Sequence, residues 1–353
     1  MKSNQFWTAV SQTLTTVTVM LIVTLVLASG AAAATTYKDL HIFNTASGGY
    51  HPLGDLIFDS AGNLYGVTAD GVAFGNGVVF RLKPHPNGSW TENVLHSFTG
   101  RAQGWVPNGG LIFDAAGNLY GTTLYGGGDN DGVVFELRPN AGGSWTETVL
   151  YSFTGADGSG PNGGLIFDAA GNLYGTTKFG GAHGYGTVFE LTHNPDGTWA
   201  ESVLHSFTGA DGANPWAGLI FDAAGNLYST TLVGGAYGYG SVFELTHNSD
   251  GTWTKSVLHS FTERADGGLP DAGLIFDAAG NLYGTTKDGG TRGFGVVFKL
   301  TLTSTGWRET VLHTFGACAT YPMGGVIMDA AGNLYGTASH GSNNGGLVFE
   351  ITP

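Results

Sequence analysis

The 353-residue chain has a single cysteine, Cys318, and little charge: Asp, Glu, Lys and Arg together make up 11% of it. A lone cysteine forms no intramolecular disulfide, so stability has to come from packing. Basic residues are the scarcest, 13 against 27 acidic ones, and the formal net charge is -14. That excludes the basic footprint that phosphate backbones need, and with it nucleic acid and anionic membrane surfaces as partners. No segment sustains a helical period, which excludes helical and leucine-rich solenoids. What is present is 61 glycines, with 42% hydrophobic and 12% aromatic residues. This is a composition of tight turns around apolar strands, not of disorder.

Residues 1–34 are set apart. They carry one early positive charge at Lys2, an apolar stretch over residues 17–28 and a run of small residues ending at Ala34. This is the pattern of a secretory signal peptide with an A-x-A type cleavage site. The competing reading is an uncleaved anchor, but Thr18 and Thr24 interrupt a stretch that falls short of the roughly 20 apolar residues a span needs. Cleavage removes Lys2 alone, so the charge becomes -14 minus +1, or -15. The expectation is one mature domain over residues 35–353, secreted or periplasmic, without a membrane span and monomeric.

The main signal is repetition. LIFDAAGNLYGTT at residues 111–123 has close copies along the chain, and its Asp recurs as Asp59, Asp114, Asp168, Asp222, Asp277 and Asp329, in steps of 55, 54, 54, 55 and 52 residues. A period of about 50 points to a propeller or a solenoid. One unit contains four short apolar runs, residues 111–114, 119–123, 133–137 and 145–153, separated by Gly, Asn, Asp and Pro. Four antiparallel strands make one propeller blade. The last unit stops after its third strand, whereas residues 37–43 match the fourth-strand pattern of residues 254–261. The fold expected is therefore all-β, a six-bladed propeller closed by the N-terminal strand completing the last blade, with residues 40–43 pairing with residues 347–351.

The same reading assigns the block to structure. The Asp at the first position of a type I turn accepts hydrogen bonds from N–H groups of its own turn, and the Gly takes the positive φ. Tyr120 and Phe113 are expected between neighbouring blades. A cation held by the ring of six Asp is the functional alternative, although turn geometry already accounts for them. Five of the 11 histidines, His41, His96, His205, His259 and His313, share one fourth-strand position with Tyr151, which indicates packing or a shared hydrogen bond. His51, His183 and His340 depart from the repeat but lack metal-ligand spacing, and no metal or cofactor is expected.

The strings GGLIFDAAGNLYGTT, GGxxGxGxVFEL and WTETVLHSFTG resemble the bacterial GloVer (gloeo/verruco) tandem-repeat family over essentially the whole mature chain. The shorter core D-x-x-G-N-L-Y is similar to NHL and two-component-regulator propeller repeats. The resemblance implies a secreted or surface-displayed protein, in a family with varied C-terminal anchors, no established biochemical role and no catalytic residues to carry over. Ser229 in place of Gly and Met328 in place of Phe are local departures.

Function is expected where the repeat breaks, on the face formed by the loops between strands two and three and between blades. The ligand-binding residues expected there are Trp105, Tyr125, Phe179, His183, Tyr185, Trp216, Tyr237, Tyr239, Arg292 and Phe294. Their flat rings suit stacking on sugars or peptide side chains, or else pack on their own glycine-rich loops. Residues 129–132 resemble the start of a calcium loop without its later Glu, and a turn is the better reading. The leading expectation is a non-catalytic module binding a glycan, a peptide or a surface protein. The alternative is a polysaccharide lyase or hydrolase with an axial acid/base pair drawn from Asp70, Asp129, Asp131, Asp157, Asp211, Asp266 and Asp288, with Arg101, Arg264, Arg292 and His183.

Overall fold

The computed structural model describes residues 39–43, 48–71, 73–316, 319–341 and 346–352. The described residues from His41 onward form one compact unit. The expected leader lies outside the described residues, as do Tyr37, Lys38 and Cys318. Among the described residues no helix is long and apolar enough to cross a membrane.

Residues 41–353 form a six-bladed β-propeller. The second blade shows the plan. Its innermost strand is split into Trp105–Pro107 and Ile112–Phe113, both antiparallel to Leu119–Tyr125. That strand pairs with Val133–Pro139, which pairs with Trp145–Ser152 at the outer edge. The two middle strands are buried on both faces, which is why they read as continuous Val, Leu, Phe, Tyr and Thr. The first half of the outer strand alternates half-buried and exposed residues, as expected with one face in water, and its second half is half-buried throughout.

A bulge between Val134 and Phe135 recurs at Val79/Phe80, Val188/Phe189, Val242/Phe243 and Val297/Phe298. The Phe after each bulge is buried against the next ring in line: Phe153 of the second blade meets Phe189 of the third edge-to-face, 5.0 Å between centroids. Core residues accordingly collect between blades. Tyr120, Val134 and Phe153 pack with Leu165, Leu173, Phe189 and Leu191 of the following blade. Tyr65 meets Phe113 in the same way across the first junction.

The repeated Asp is a turn cap, as its sequence context predicts. Asp114 Oδ1 accepts the N–H groups of Ala116 and Asn118 at 2.9 and 2.8 Å, and Oδ2 accepts Asn118 Nδ2 at 2.7 Å and the Tyr120 hydroxyl at 3.1 Å. The same four bonds form around Asp59, Asp168, Asp222, Asp277 and Asp329. The carboxylates are engaged within their own turns.

The sixth sheet differs from expectation in its last strand. Leu347–Ile351 pairs with Leu334–Ala338, but among the described residues it has no ladder with residues 41–43. His41 and Phe43 nevertheless occupy fourth-strand side-chain positions: His41 Nε2 lies 3.1 Å from Glu92, and Phe43 meets Phe80 at 4.9 Å. Their rings are anchored on the first blade while their backbone stays out of the sheet. The junction of the sixth and first blades is correspondingly open, with Val348 75% exposed and Leu56 53% exposed, whereas their counterparts Val134 and Leu111 are buried.

Candidate functional site

Each blade sends the bowed-out middle of its innermost strand to the axis. The stretch begins with Pro52, Pro107, Pro161, Pro215, Pro270 or Pro322. The residue before each proline has a positive φ: His51 56°, Val106 57°, Gly160 64°, Asn214 53°, Leu269 54° and Tyr321 58°. Left-handed backbone is costly for a β-branched or bulky residue. It is held by a bond to the preceding blade, since the amide of Val106 donates to Asn76, Gly160 to Asp131, Asn214 to Tyr185, Leu269 to Tyr239 and Tyr321 to Phe294, at 2.8 to 3.1 Å. The proline then lies against a glycine of that blade: a Cβ on Gly132 would sit 2.5 Å from Pro161 Cδ.

After the proline come three residues that wall an axial cavity of about 420 Å³, to which all six blades contribute. From the first blade to the fourth, consecutive trios touch through their backbones, as do those of the fifth and sixth. A Cβ on Gly109 would lie 2.8 Å from the Gly163 carbonyl, and one on Gly163 would lie 2.6 Å from that of Ala217. Five of the six third residues are Gly and the sixth is Asp55; the first residues are Leu53, Asn108, Asn162, Trp216, Asp271 and Met323. The repeat is thus nearly constant on either side of a position where five residue types occupy six places.

These side chains make an asymmetric wall. Asn108 Nδ2 donates to Asn162 Oδ1, and Asn162 Nδ2 donates to the Trp216 carbonyl at 3.2 Å, so an amide chain runs across three blades. Lys178 Nζ lies over the Trp216 ring, 4.0 Å from its centroid, and 4.7 Å from that of Phe179. Burial lowers the Lys178 ammonium, with Asp271 opposing. Burial raises the Asp271 carboxyl above the usual carboxylate range, and Lys287 and Lys178 only partly offset this. Leu53 and Met323, 41% and 47% exposed, complete an apolar sector.

Of the residues expected from the sequence, Trp216 lies in this cavity and Phe179 adjoins it through Lys178. Tyr237 and Tyr239 line a second cavity of about 380 Å³ with Thr262 and Arg264. Trp105 and Tyr125 stack on each other at 4.5 Å, and Trp105 Nε1 donates to Asn130. Phe294 meets Tyr321 edge-on at 6.0 Å, while Tyr185 lies against Gly209, within 3.3 Å of a Cβ placed there. His183 and Arg292 are exposed, the first near His205 and the second beside Gly316. The ten residues therefore do not converge on one site.

The loop carboxylates weighed as an acid/base pair are largely occupied locally. Asp70 bonds His51, Asp131 accepts from Ser159, and Asp157 accepts from Tyr151 and the Thr154 amide. Asp211 bonds His205 at 2.8 Å, and Asp266 accepts from Thr262 and faces His259 at 3.3 Å. Five of the six members of the shared His/Tyr position, His41, His96, Tyr151, His205 and His259, face a carboxylate. Between blades, His96 lies 3.4 Å from Glu147; burial pushes the imidazole down to about 4 and the carboxyl up to about 7, disfavouring the ion pair. Among the described residues no group of three His, Cys, Asp or Glu is placed to hold a metal. The carboxylates that do line the axis, Asp55 and Asp271, are absent from the sequence-based selection. Aligning the six P-x-[GA]-[GD] trios would have revealed them.

The sequence profile of the Gloeobacter/Verrucomicrobia repeat matches residues 26–202 and 163–353. The chain belongs to that family. A comparison with curated proteins finds no match for this Gloeobacter/Verrucomicrobia repeat protein. Among solved structures it is similar to a putative oxidoreductase (glucose dehydrogenase) from Thermus thermophilus, with 18% identity, TM-score 0.51 and coverage of 89% of this chain and 100% of the other. It is also similar to an ancestral GH74 enzyme, with 12% identity and TM-score 0.56; the match covers 86% of this chain but only 42% of that enzyme. A putative 6-phosphogluconolactonase from Bacteroides fragilis gives 15% identity and TM-score 0.50, over 84% and 82% of the two chains. At such identities the likeness establishes the propeller fold alone.

Proposed function

We propose that this protein is a secreted, non-catalytic binding module whose ligand, a glycan or an extracellular peptide, enters the axial cavity from the loop face. The observation that carries this reading is the ring of first residues. Prolines and small residues are kept around it for the fold, and its own six places break the symmetry. A binding site for an asymmetric ligand needs that break, whereas a scaffold does not. Exposed Tyr237 and half-buried Tyr239 supply a second contact region on the rim.

One observation favours hydrolysis as a second reading: Asp55 and Asp271 line the same cavity, and burial favours the protonated form of Asp271. A glycan and peptide binding screen run beside a turnover screen on extracellular polysaccharides tests both. Saturable binding without product supports the module. Product formation abolished in both Asp55→Asn and Asp271→Asn overturns it in favour of the enzyme.

A further inference from the structure

Resting on that reading, we infer that the axial cavity takes the terminal ring of a neutral carbohydrate end-on, with Trp216 as its stacking platform and Asp271 and Asn108 as partners for its hydroxyls. The shape argues for an end unit. From the first blade to the fourth the trios are in backbone contact, as are those of the fifth and sixth, and a volume of about 420 Å³ is at the small end of ligand pockets. A polysaccharide cannot lie across such a throat, but its last sugar can enter.

The wall chemistry argues for a sugar. A pyranose has apolar C–H faces and an equator of hydroxyls. The cavity offers an indole with the exposed apolar side chains Leu53 and Met323, and between them the amide of Asn108 and the carboxyl of Asp271. Lys178 covers the Trp216 ring and, through Asn162, the second blade is tied to the Trp216 backbone, so the platform is held before a ligand arrives. Charge argues for neutrality. Asp55 and Asp271 both line the wall, Lys178 and Lys287 act on Asp271 and only partly offset its burial, and the chain as a whole is acidic at -14, which disfavours uronates.

The test is calorimetric titration of the full chain with glucose, xylose and mannose oligosaccharides of two to six units, their uronic acid counterparts, and a peptide library. The inference predicts one neutral series that saturates with an affinity nearly independent of length. It also predicts about a tenfold or greater weakening in Trp216→Ala, less in Trp216→Phe, and unchanged melting in both. Affinity that climbs with each added sugar, tighter binding of uronates, or saturation by peptides alone overturns it. Neutral-sugar binding insensitive to Trp216→Ala but lost in the Tyr237→Ala/Tyr239→Ala pair overturns the axial site and leaves loop-face binding standing. No saturable ligand of any class overturns both.

Discussion

The amide of Leu269 donates to the carbonyl of Tyr239 one blade back, at 2.8 Å. That bond joins a rim aromatic to the residue two places before Asp271, and it holds Leu269 in left-handed backbone. The rim and the axial wall are therefore positioned by the same stitches, and disturbing one moves the other.

Gly240, next to Tyr239, makes this testable. A Cβ there would sit 2.4 Å from the Thr231 carbonyl and 2.6 Å from Pro270 Cδ, at φ 93°. Gly251 has a similar φ of 83° with nothing within 4 Å. Gly251→Ala should cost about 1 kcal/mol from backbone strain alone, and Gly240→Ala about 3 kcal/mol or more once the clash is added. Urea unfolding of the two variants measures the difference.

The Asp turns predict the acid limb of stability. Asp222 accepts four hydrogen bonds, and Asp222→Ala should destabilise by about 2 kcal/mol. Burial works against the charge of Asp59, Asp114, Asp222 and Asp277, but the bonds from the Asn, the turn amides and the Tyr outweigh it, and these carboxyls lie below their ordinary value of 3.8. Their contribution is complete above pH 3.8 and disappears as the pH falls through the lowered values. Urea midpoints between pH 5 and pH 2 should fall steeply only at the lower end.

Glu201 predicts the opposite sign. Burial, with Asp157 adding to it, pushes its carboxyl from 4.5 up to about 7. The folded chain holds this proton more tightly than the unfolded chain, so the contribution is intact below pH 4.5 and is lost as the pH rises through 7. Glu201→Gln should flatten that decline, gaining about 1 kcal/mol at pH 8 once solvent screening is allowed for. A stability difference that does not change between pH 5 and pH 8 would contradict the assignment.

The blades were legible in the sequence because period, strand alternation and turn chemistry all repeat, and Asp114 with Gly117, Asn118 and Tyr120 states one turn completely. The six trios repeat too, but their motif is only P-x-[GA]-[GD], and its meaning is three-dimensional. That Asn108, Trp216 and Asp271 face one axis follows from strand order around a ring, not from any local pattern. Trp216 stands out as an aromatic in a loop; Asp271 and Asp55 look like ordinary turn carboxylates until the ring is assembled. The ladder expected for residues 40–43 rests on a good side-chain match. His41 and Phe43 show that such a match can be met by ring contacts without strand pairing.

The most direct measurement is a crystal structure of the full chain soaked with the tightest-binding oligosaccharide from the titrations. The terminal ring should lie in the axial cavity, stacked on Trp216 with hydroxyls toward Asp271 and Asn108, and the rest of the oligosaccharide should lead out past Phe179. Density confined to the rim near Tyr237, or at the Asp turns, would contradict it.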